Sequence, residues 1–452
     1  MKRQIEELLH RGEYEFAYKT LLDLIEKKLV SRAASARTLV DLAEFYSLYG
    51  RAEAEPWQAA LEEARVRWRP IETKPLYQSL TFELAALRGE KIDMPSLTDP
   101  RAKYHLAQGV AYLGYMSEAL ELLPESPATL PLFLQSRLLA LRARLLESVG
   151  NLASAASFHE QAAEIMTSKE ALWSLLDATA LRLDSGDLAM AAVNLKKITR
   201  LLPNAEISDR ATFHYLAARV ELAGGNPELA LPQITQAEGL EAASGGLSHG
   251  TAMVRAQIHQ RLGQHKLVRN AYREAERRAA ESDLPYIWHE WGVAELEAGQ
   301  IVEAEKILSW AVESKTYPFM PQLLADLAEA YYRLGNGPAA EDTAMRSLAL
   351  HPTAAAHLVL GNRAYDIGHW DEALAHYRAA AALAHEGEHD WITAVELTVD
   401  VLAQMGFPNP VEAAELAERV IPYLPASDEW KETMQNYAVK ARLLDRKNRL
   451  LN

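Results

Sequence analysis

The sequence contains no cysteine, which removes disulfides, thiolate metal sites and thiol nucleophiles together. It has no apolar run approaching the roughly 18 residues of a membrane span. Its start, MKRQIEELLHRGEYEF, lacks the apolar core of a signal peptide, so a cytoplasmic protein without membrane insertion is the default expectation. Positive charge is also in deficit: 47 Lys and Arg stand against 62 Asp and Glu, a net charge of −15. That sign disfavours generic nucleic-acid binding, because the phosphate backbone rewards basic surfaces. The deficit is uneven, since residues 1–226 carry 27 basic and 30 acidic side chains (−3) and residues 227–452 carry 20 and 32 (−12). The two halves therefore present different fields to a partner. Catalytic signatures are missing as well: there is no G-x-x-x-x-G-K-[ST], no G-x-S-x-G, and no dinucleotide glycine fingerprint after a strand. Neither an enzyme nor a cofactor is indicated.

What is present is a folded composition, 49% hydrophobic and 24% charged over 452 residues. Length alone suggests about three domains, but the glycines overturn that prior. Gly12, Gly50, Gly89, Gly114, Gly150, Gly186, Gly225, Gly263, Gly299, Gly335, Gly368 and Gly406 are separated by 38, 39, 25, 36, 36, 39, 38, 36, 36, 33 and 38 residues. Such regularity indicates a repeat array. Each glycine stands between two Ala- and Leu-rich stretches, as in HLVLGNRAYDIG followed by HWDEALAHYRAAAAL. Glycine suits the left-handed position that ends a helix, so each repeat reads as helix A, tight turn, helix B. Five residues after the glycine stands Ala17, Ala119, Ala155, Ala191, Ala230, Ala304, Ala340 or Ala373, in eight repeats of twelve. A small side chain there lets helix B lie close to helix A. Pro203 and Pro352, seventeen residues after their glycines, end their repeats.

These repeats resemble tetratricopeptide repeats. In the repeat from Ala354 to His385, the residues Leu360, Gly361, Gly368, Ala373, Tyr377 and Ala380 fall on the signature positions. From Pro321 to Pro352 the matches are Leu327, Ala328, Tyr331, Gly335, Ala340 and Pro352, and after Pro285 they are Trp288, Gly292, Gly299, Ala304 and Ala311. The resemblance is clear from about residue 100 to 385 and degenerate at both ends. It implies an all-α fold, an α-solenoid of about eleven to twelve helix-turn-helix units in a right-handed superhelix, each burying its apolar face against its neighbours. We expect degenerate units at 1–95, a main array at 96–425 and a polar C-terminal capping helix at 426–452. Only 25 residues separate Gly89 from Gly114, and EKIDMPSLTDPR lacks helical periodicity where helix B belongs, so a joint is expected at residues 90–100. PESPATLP, residues 124–131, marks a second irregular turn.

One stretch imitates catalysis. His385-Glu386-Gly387-Glu388-His389 matches the H-E-x-x-H of zinc proteases, but that chemistry needs both histidines on one helical face. Counting 17 from Gly368 places His385 in an inter-repeat turn, and Gly387 further disfavours a helix. The expectation is a solvated turn and no metal site. Likewise His105, His159, His214 and His259 read as packing or surface residues within helices rather than ligands.

By the same resemblance, groove-facing positions lie about 13, 10, 6 and 3 residues before each turn glycine. They select Arg101, Tyr104 and Gln108, then Arg137 and Arg144, Tyr215 and Arg219, Gln257 and Gln260. Further along come Tyr286 and His289, then Gln322, Glu329 and Tyr332, then Asn362 and Tyr365, and finally Glu396 and Asp400. The path runs from an Arg/Tyr/Gln stripe to an acidic end, which suits a peptide or protein partner of opposite polarity. The carboxylate clamp known in this family is not implied, because Asn362 has no complementary Lys and Asn in the adjacent repeats. The leading expectation is a non-enzymatic scaffold or adaptor. A ligand- or peptide-responsive regulatory sensor and a homo-oligomeric, self-assembling protein are the alternatives. The basic run Lys440, Arg442, Arg446, Lys447 and Arg449 reads as part of a soluble cap rather than a nucleic-acid contact.

Overall fold

The structure is a computed structural model that describes residues 2–26, 31–49, 54–314, 317–425 and 429–451. Its regular structure is entirely helical, with 24 α-helices among the described residues. They fall into two compact units, Met1–Leu247 and Ser248–Asn452.

In the first unit, α1 (Lys2–His10) and α2 (Tyr14–Glu26) form a hairpin, followed by α3 (Arg32–Tyr49) with α4 (Ala54–Arg67). Next come α5 (Pro75–Leu87), α6 (Pro100–Tyr112) with α7 (Met116–Leu122), and α8 (Leu132–Ser148) with α9 (Leu152–Ile165). The unit closes with α10 (Ser168–Asp184) and α11 (Leu188–Thr199), then α12 (Ile207–Ala223) and α13 (Pro227–Ser244). The pattern that makes these helices is visible in α8. Leu134, Leu138, Leu141 and Leu145 recur every three or four residues and are all buried, one apolar stripe of a helix without helix-breaking residues.

The turns are set by backbone chemistry. Eleven of the repeat glycines have φ between +69° and +90°; Gly50 lies outside the described residues. At Gly150 the amide donates to the Glu147 carbonyl at 2.9 Å and the next amide, of Asn151, donates to Leu146 at 2.8 Å. This pair of bonds is a Schellman closure of α8. The Asn151 side chain then accepts from the Ser154 amide at 3.3 Å and starts α9, so two residues end one helix and begin the next. A Cβ at Gly150 would meet nothing within 4 Å; the cost of replacing it is therefore backbone strain alone. Gly150→Ala is expected to lower stability by about 1–2 kcal/mol and Gly150→Asn by less, measured by denaturant midpoints of the two variants.

All eight alanines of the Gly+5 column are fully buried. Helix B is absent after Gly89: residues 91–99 are non-helical until Asp99, whose side chain caps α6 by accepting from Ala102 at 2.9 Å. In its place α5 packs directly on α6. Gly109 permits the approach, since a Cβ there would stand 2.8 Å from the Phe82 ring. At the joint expected over residues 90–100 the apolar core is continuous, one cluster running from Ile5 to Leu145. Residues 127–129 form the short 3₁₀ turn that PESPATLP suggested. The first hairpin does more than meet its neighbour. α1 packs on α8, Tyr14 donates to Glu170 of α10, and a Cβ on Gly12 would lie 3.3 Å from Thr167.

The second unit pairs α14 (His249–Arg261) with α15 (His265–Arg278), α16 (Leu284–Glu297) with α17 (Ile301–Val312), and α18 (Met320–Arg333) with α19 (Gly337–Leu350). It continues with α20 (Ala354–Asp366) and α21 (Trp370–Leu383), α22 (His389–Gln404) and α23 (Pro410–Val420), and ends in α24 (Glu429–Leu451). Here too glycines set the crossings: a Cβ on Gly292 would fall 2.4 Å from Leu308, and one on Gly361 would fall 2.5 Å from the Tyr377 ring. A-helices stand side by side, α16 on α18, α18 on α20 and α20 on α22. The terminal helix forms, but it is not polar all round: Val439, Leu443 and Leu450 are 61%, 59% and 87% exposed.

Candidate functional site

A cavity of about 400 Å³ opens in the first unit. Its walls come from the end of α3 (Leu48, Tyr49), the middle of α6 (Tyr104), and α8 (Arg137, Ala140, Arg144). α9 supplies His159, and α10 supplies Glu170, Trp173, Ser174 and Asp177. Three of the residues selected from sequence, Tyr104, Arg137 and Arg144, are thus brought together. Arg137 and Arg144 are seven residues apart, two turns on one face of α8.

One end of the cavity is tightly bonded. The Arg137 guanidinium lies 4.2 Å over the Tyr49 ring, donates to the Leu48 carbonyl at 3.3 Å and reaches Glu170 at 3.5 Å. Tyr14 donates to the same carboxylate oxygen and packs on Tyr49 with ring centroids 4.3 Å apart. Burial and the Glu170 carboxylate push the Tyr14 phenol up, so it remains a neutral donor. Arg137 is therefore committed to the fold.

The other end is open. Arg144 is exposed, and Trp173, 44% exposed, is fixed by its indole N–H donating to Asp209 at 3.1 Å. The Lys169 ammonium sits 5.1 Å from the Trp173 ring and pairs with Glu206 at 2.6 Å. His159, 4% exposed, lines the wall. Burial, helped by the nearby Arg144 charge, pushes its imidazole down to about 4, so it is neutral at pH 7. Its Nδ1 is buried without a hydrogen-bond partner among the described residues. The arrangement offers a wide aromatic face, an exposed cation and a desolvated polar atom to whatever enters.

The remaining sequence-selected residues are placed otherwise. Gln108 is 2% exposed and donates to Tyr112 at 2.9 Å, so it is a core residue and not a groove contact. Arg101 turns inward: it binds Glu44 in a fork, with its Nε at 2.6 Å from Oε1, and reaches Asp41 at 3.3 Å. Beside it, fully buried His105 meets Glu83 at 2.7 Å through Nδ1 and Glu44 at 3.2 Å through Nε2. Glu83 also accepts from Ser47 at 2.9 Å. With both ring nitrogens facing carboxylates, the imidazole carries both protons. Burial alone would push it down; Glu83 and Glu44 outweigh that and hold it up at about 9. His105 is an ion-pair partner, more than a packing residue.

Elsewhere the selected side chains bond to other residues, many of them on the adjacent A-helix one repeat away. Arg219, over the Tyr215 ring at 5.8 Å, pairs with Asp184 at 2.8 Å. In the second unit, Gln257 donates to Glu290 at 3.5 Å and Gln260 to Glu297 at 2.5 Å. His289 stands 2.7 Å from both Tyr317 and Asp326. Exposed Tyr286 packs edge-on to Tyr317 at 4.9 Å. Glu329 holds Arg333 at 2.6 Å, and Tyr332 is pushed up by burial and by Asp366. Asn362 accepts from Tyr377 at 2.8 Å, and Tyr365 donates to Asp400 at 2.8 Å. That bond, with burial, pushes the Tyr365 phenol up to about 12.

The protease-like pentapeptide is no catalytic helix. His385 to Glu388 form the loop between α21 and α22, with Gly387 at φ +92°. The His385 amide donates to Glu388 at 3.1 Å, and Arg419 grips Glu386 in a fork.

Sequence reasoning missed Trp173, although the thirteen-residue offset counted back from Gly186 reaches it. Tyr14, Tyr49, His159 and Glu170 carried no such signal.

No family model matches the sequence, and no curated protein matches it. Solved structures similar in fold include a tetratricopeptide repeat protein from Parabacteroides merdae, 16% identical with a TM-score of 0.43 over 58% of this chain and 98% of that one. Pseudomonas aeruginosa PilF is 17% identical with a TM-score of 0.41, covering 51% and 99%. The apo form of the quorum sensor NprR from B. thuringiensis is 13% identical with a TM-score of 0.43, covering 69% and 80%. With glycines at positive φ turning its hairpins and fully buried alanines where helix B meets helix A, the chain is an all-α array of tetratricopeptide-like repeats.

Proposed function

We propose that the protein is a non-enzymatic binding scaffold that takes a peptide or protein segment into the cavity of its first unit. The observation that carries this reading is the convergence of exposed Trp173 and Arg144 on an open cavity of about 400 Å³. That volume lies in the range of ligand sites, and Trp and Arg are the residue types that most often anchor recognition.

The test is a peptide-display selection on the full chain, followed by affinity measurement for the selected segment. Trp173→Ala and Arg144→Glu are each expected to weaken binding by at least about tenfold, with both variants still folded, as their helical circular dichroism checks. Binding that survives both substitutions places the partner elsewhere on the chain and removes the assignment.

A further inference from the structure

α24 carries a face that nothing else among the described residues covers. Glu429, Glu432, Asn436, Val439, Leu443, Arg446 and Leu450 are spaced alternately by three and four residues and are all exposed. A spacing of 3.5 is the seam of a two-helix coil. The opposite side of the helix, with Met434, Ala438 and Ala441, is buried against the rest of the second unit. Beside the seam lies a groove of about 420 Å³ lined by Ile421, Ala438, Val439 and Leu443, with Glu418 and Arg442 on its rim. Those two rim residues pair with each other at 2.7 Å, which leaves Arg446 as the further charge on the groove's lining.

We propose that this seam pairs with the α24 seam of a second copy, antiparallel, so that the protein forms a homodimer through its second unit. The charge order selects both the occupant and the direction. Along the seam the side chains run acidic (Glu429, Glu432), apolar (Val439, Leu443), then basic (Arg446), with Lys447 flanking and Arg449 paired to Asp445 at 3.0 Å. An antiparallel copy sets Val439 against Leu443 twice, Asn436 against Arg446 and Glu432 against Leu450, so that each Glu432 lies one turn from the partner's Arg446. A parallel copy would set like charge on like at both ends. A two-fold interface of this kind is self-complementary, as an isologous dimer requires. The helix is about 35 Å long, and the contact does not involve the cavity of the first unit.

Light scattering of the full chain over about a hundredfold range of concentration should show a monomer–dimer equilibrium. Val439→Glu/Leu443→Glu should raise the dissociation constant at least about 100-fold, and Val439→Ser/Leu443→Ser should weaken it without adding charge. Both positions are exposed, so the helical circular dichroism should hold. Because the chain has no cysteine, direction can be read by mild oxidation: a mixture of the Asn436→Cys and Arg446→Cys variants should cross-link between copies, and neither variant alone should. A monomer at every concentration, a dimer indifferent to both double variants, or self-cross-linking of Asn436→Cys alone would each overturn the proposal.

Discussion

Replacing Arg101 with alanine is expected to destabilise the first unit by about 3–5 kcal/mol, the cost of leaving a buried charge without its partner. Glu44 is 2% exposed and stays ionised at neutral pH only because Arg101 and then His105 outweigh the cost of its burial, holding its carboxyl down at about 2. Removing both charges together, as in Glu44→Leu/Arg101→Met, should recover most of the loss, because a packed apolar pair avoids desolvating either ion. The same cluster sets a pH profile. The folded His105 value of about 9 lies above its ordinary 6.5, so its stabilisation is complete below pH 6.5 and is lost as pH rises through 9. The Glu44 value lies below its ordinary 4.5, so its contribution is complete above pH 4.5 and fades as pH falls toward 2. The cluster's own contribution should therefore be flat between pH 4.5 and 6.5 and decline on each side, with the alkaline decline absent in His105→Gln. Hydrogen exchange of the α3, α5 and α6 amides across pH, after correction for intrinsic rates, checks this. A cost for Arg101→Ala below about 1 kcal/mol would mean the cluster is solvated.

The second large effect belongs to Gly361. Its missing side chain leaves room for the fully buried Tyr377 ring, and a Cβ would stand 2.5 Å from it. Ring and backbone must separate if Gly361 becomes valine, and Tyr377 is fixed at its far end by the bond from its hydroxyl to Asn362. We expect a loss of about 3 kcal/mol, at the upper end for overpacking a dense core. A double-mutant cycle with Tyr377→Leu, which trades the ring for a smaller side chain, should show a coupling of at least about 1 kcal/mol. Additive behaviour would refute the contact as the cause.

The turns were legible because a left-handed backbone after a helix leaves few choices of residue, and the alanine column because two helices can approach closely only over a small side chain. Those rules are local and act within one hairpin. The groove residues show where locality stops. An offset from a glycine finds the face of helix A, but whether His289, Gln257 or Tyr365 stays free is decided by Asp326, Glu290 and Asp400, each one repeat away. Nothing local marks Glu44 and Glu83 as buried, for the same reason: it is α6 that delivers Arg101 and His105 to them. The α24 seam was concealed by composition. Its three apolar residues, Val439, Leu443 and Leu450, stand among three charged ones and an asparagine, so no continuous apolar stripe shows.

The contact of the first hairpin with α8 and α10 changes how the first unit comes apart. A linear array loses its end repeat first, one hairpin at a time, because that repeat has a single neighbour. Here Tyr14 and Glu170 are joined across 156 residues, so α1 and α2 cannot fray without releasing the far side of the cavity. Closing so long a loop is slow. Once closed, the beginning of the chain and the cavity wall open as one cooperative event, and anything that fills the cavity also holds the N-terminus in place.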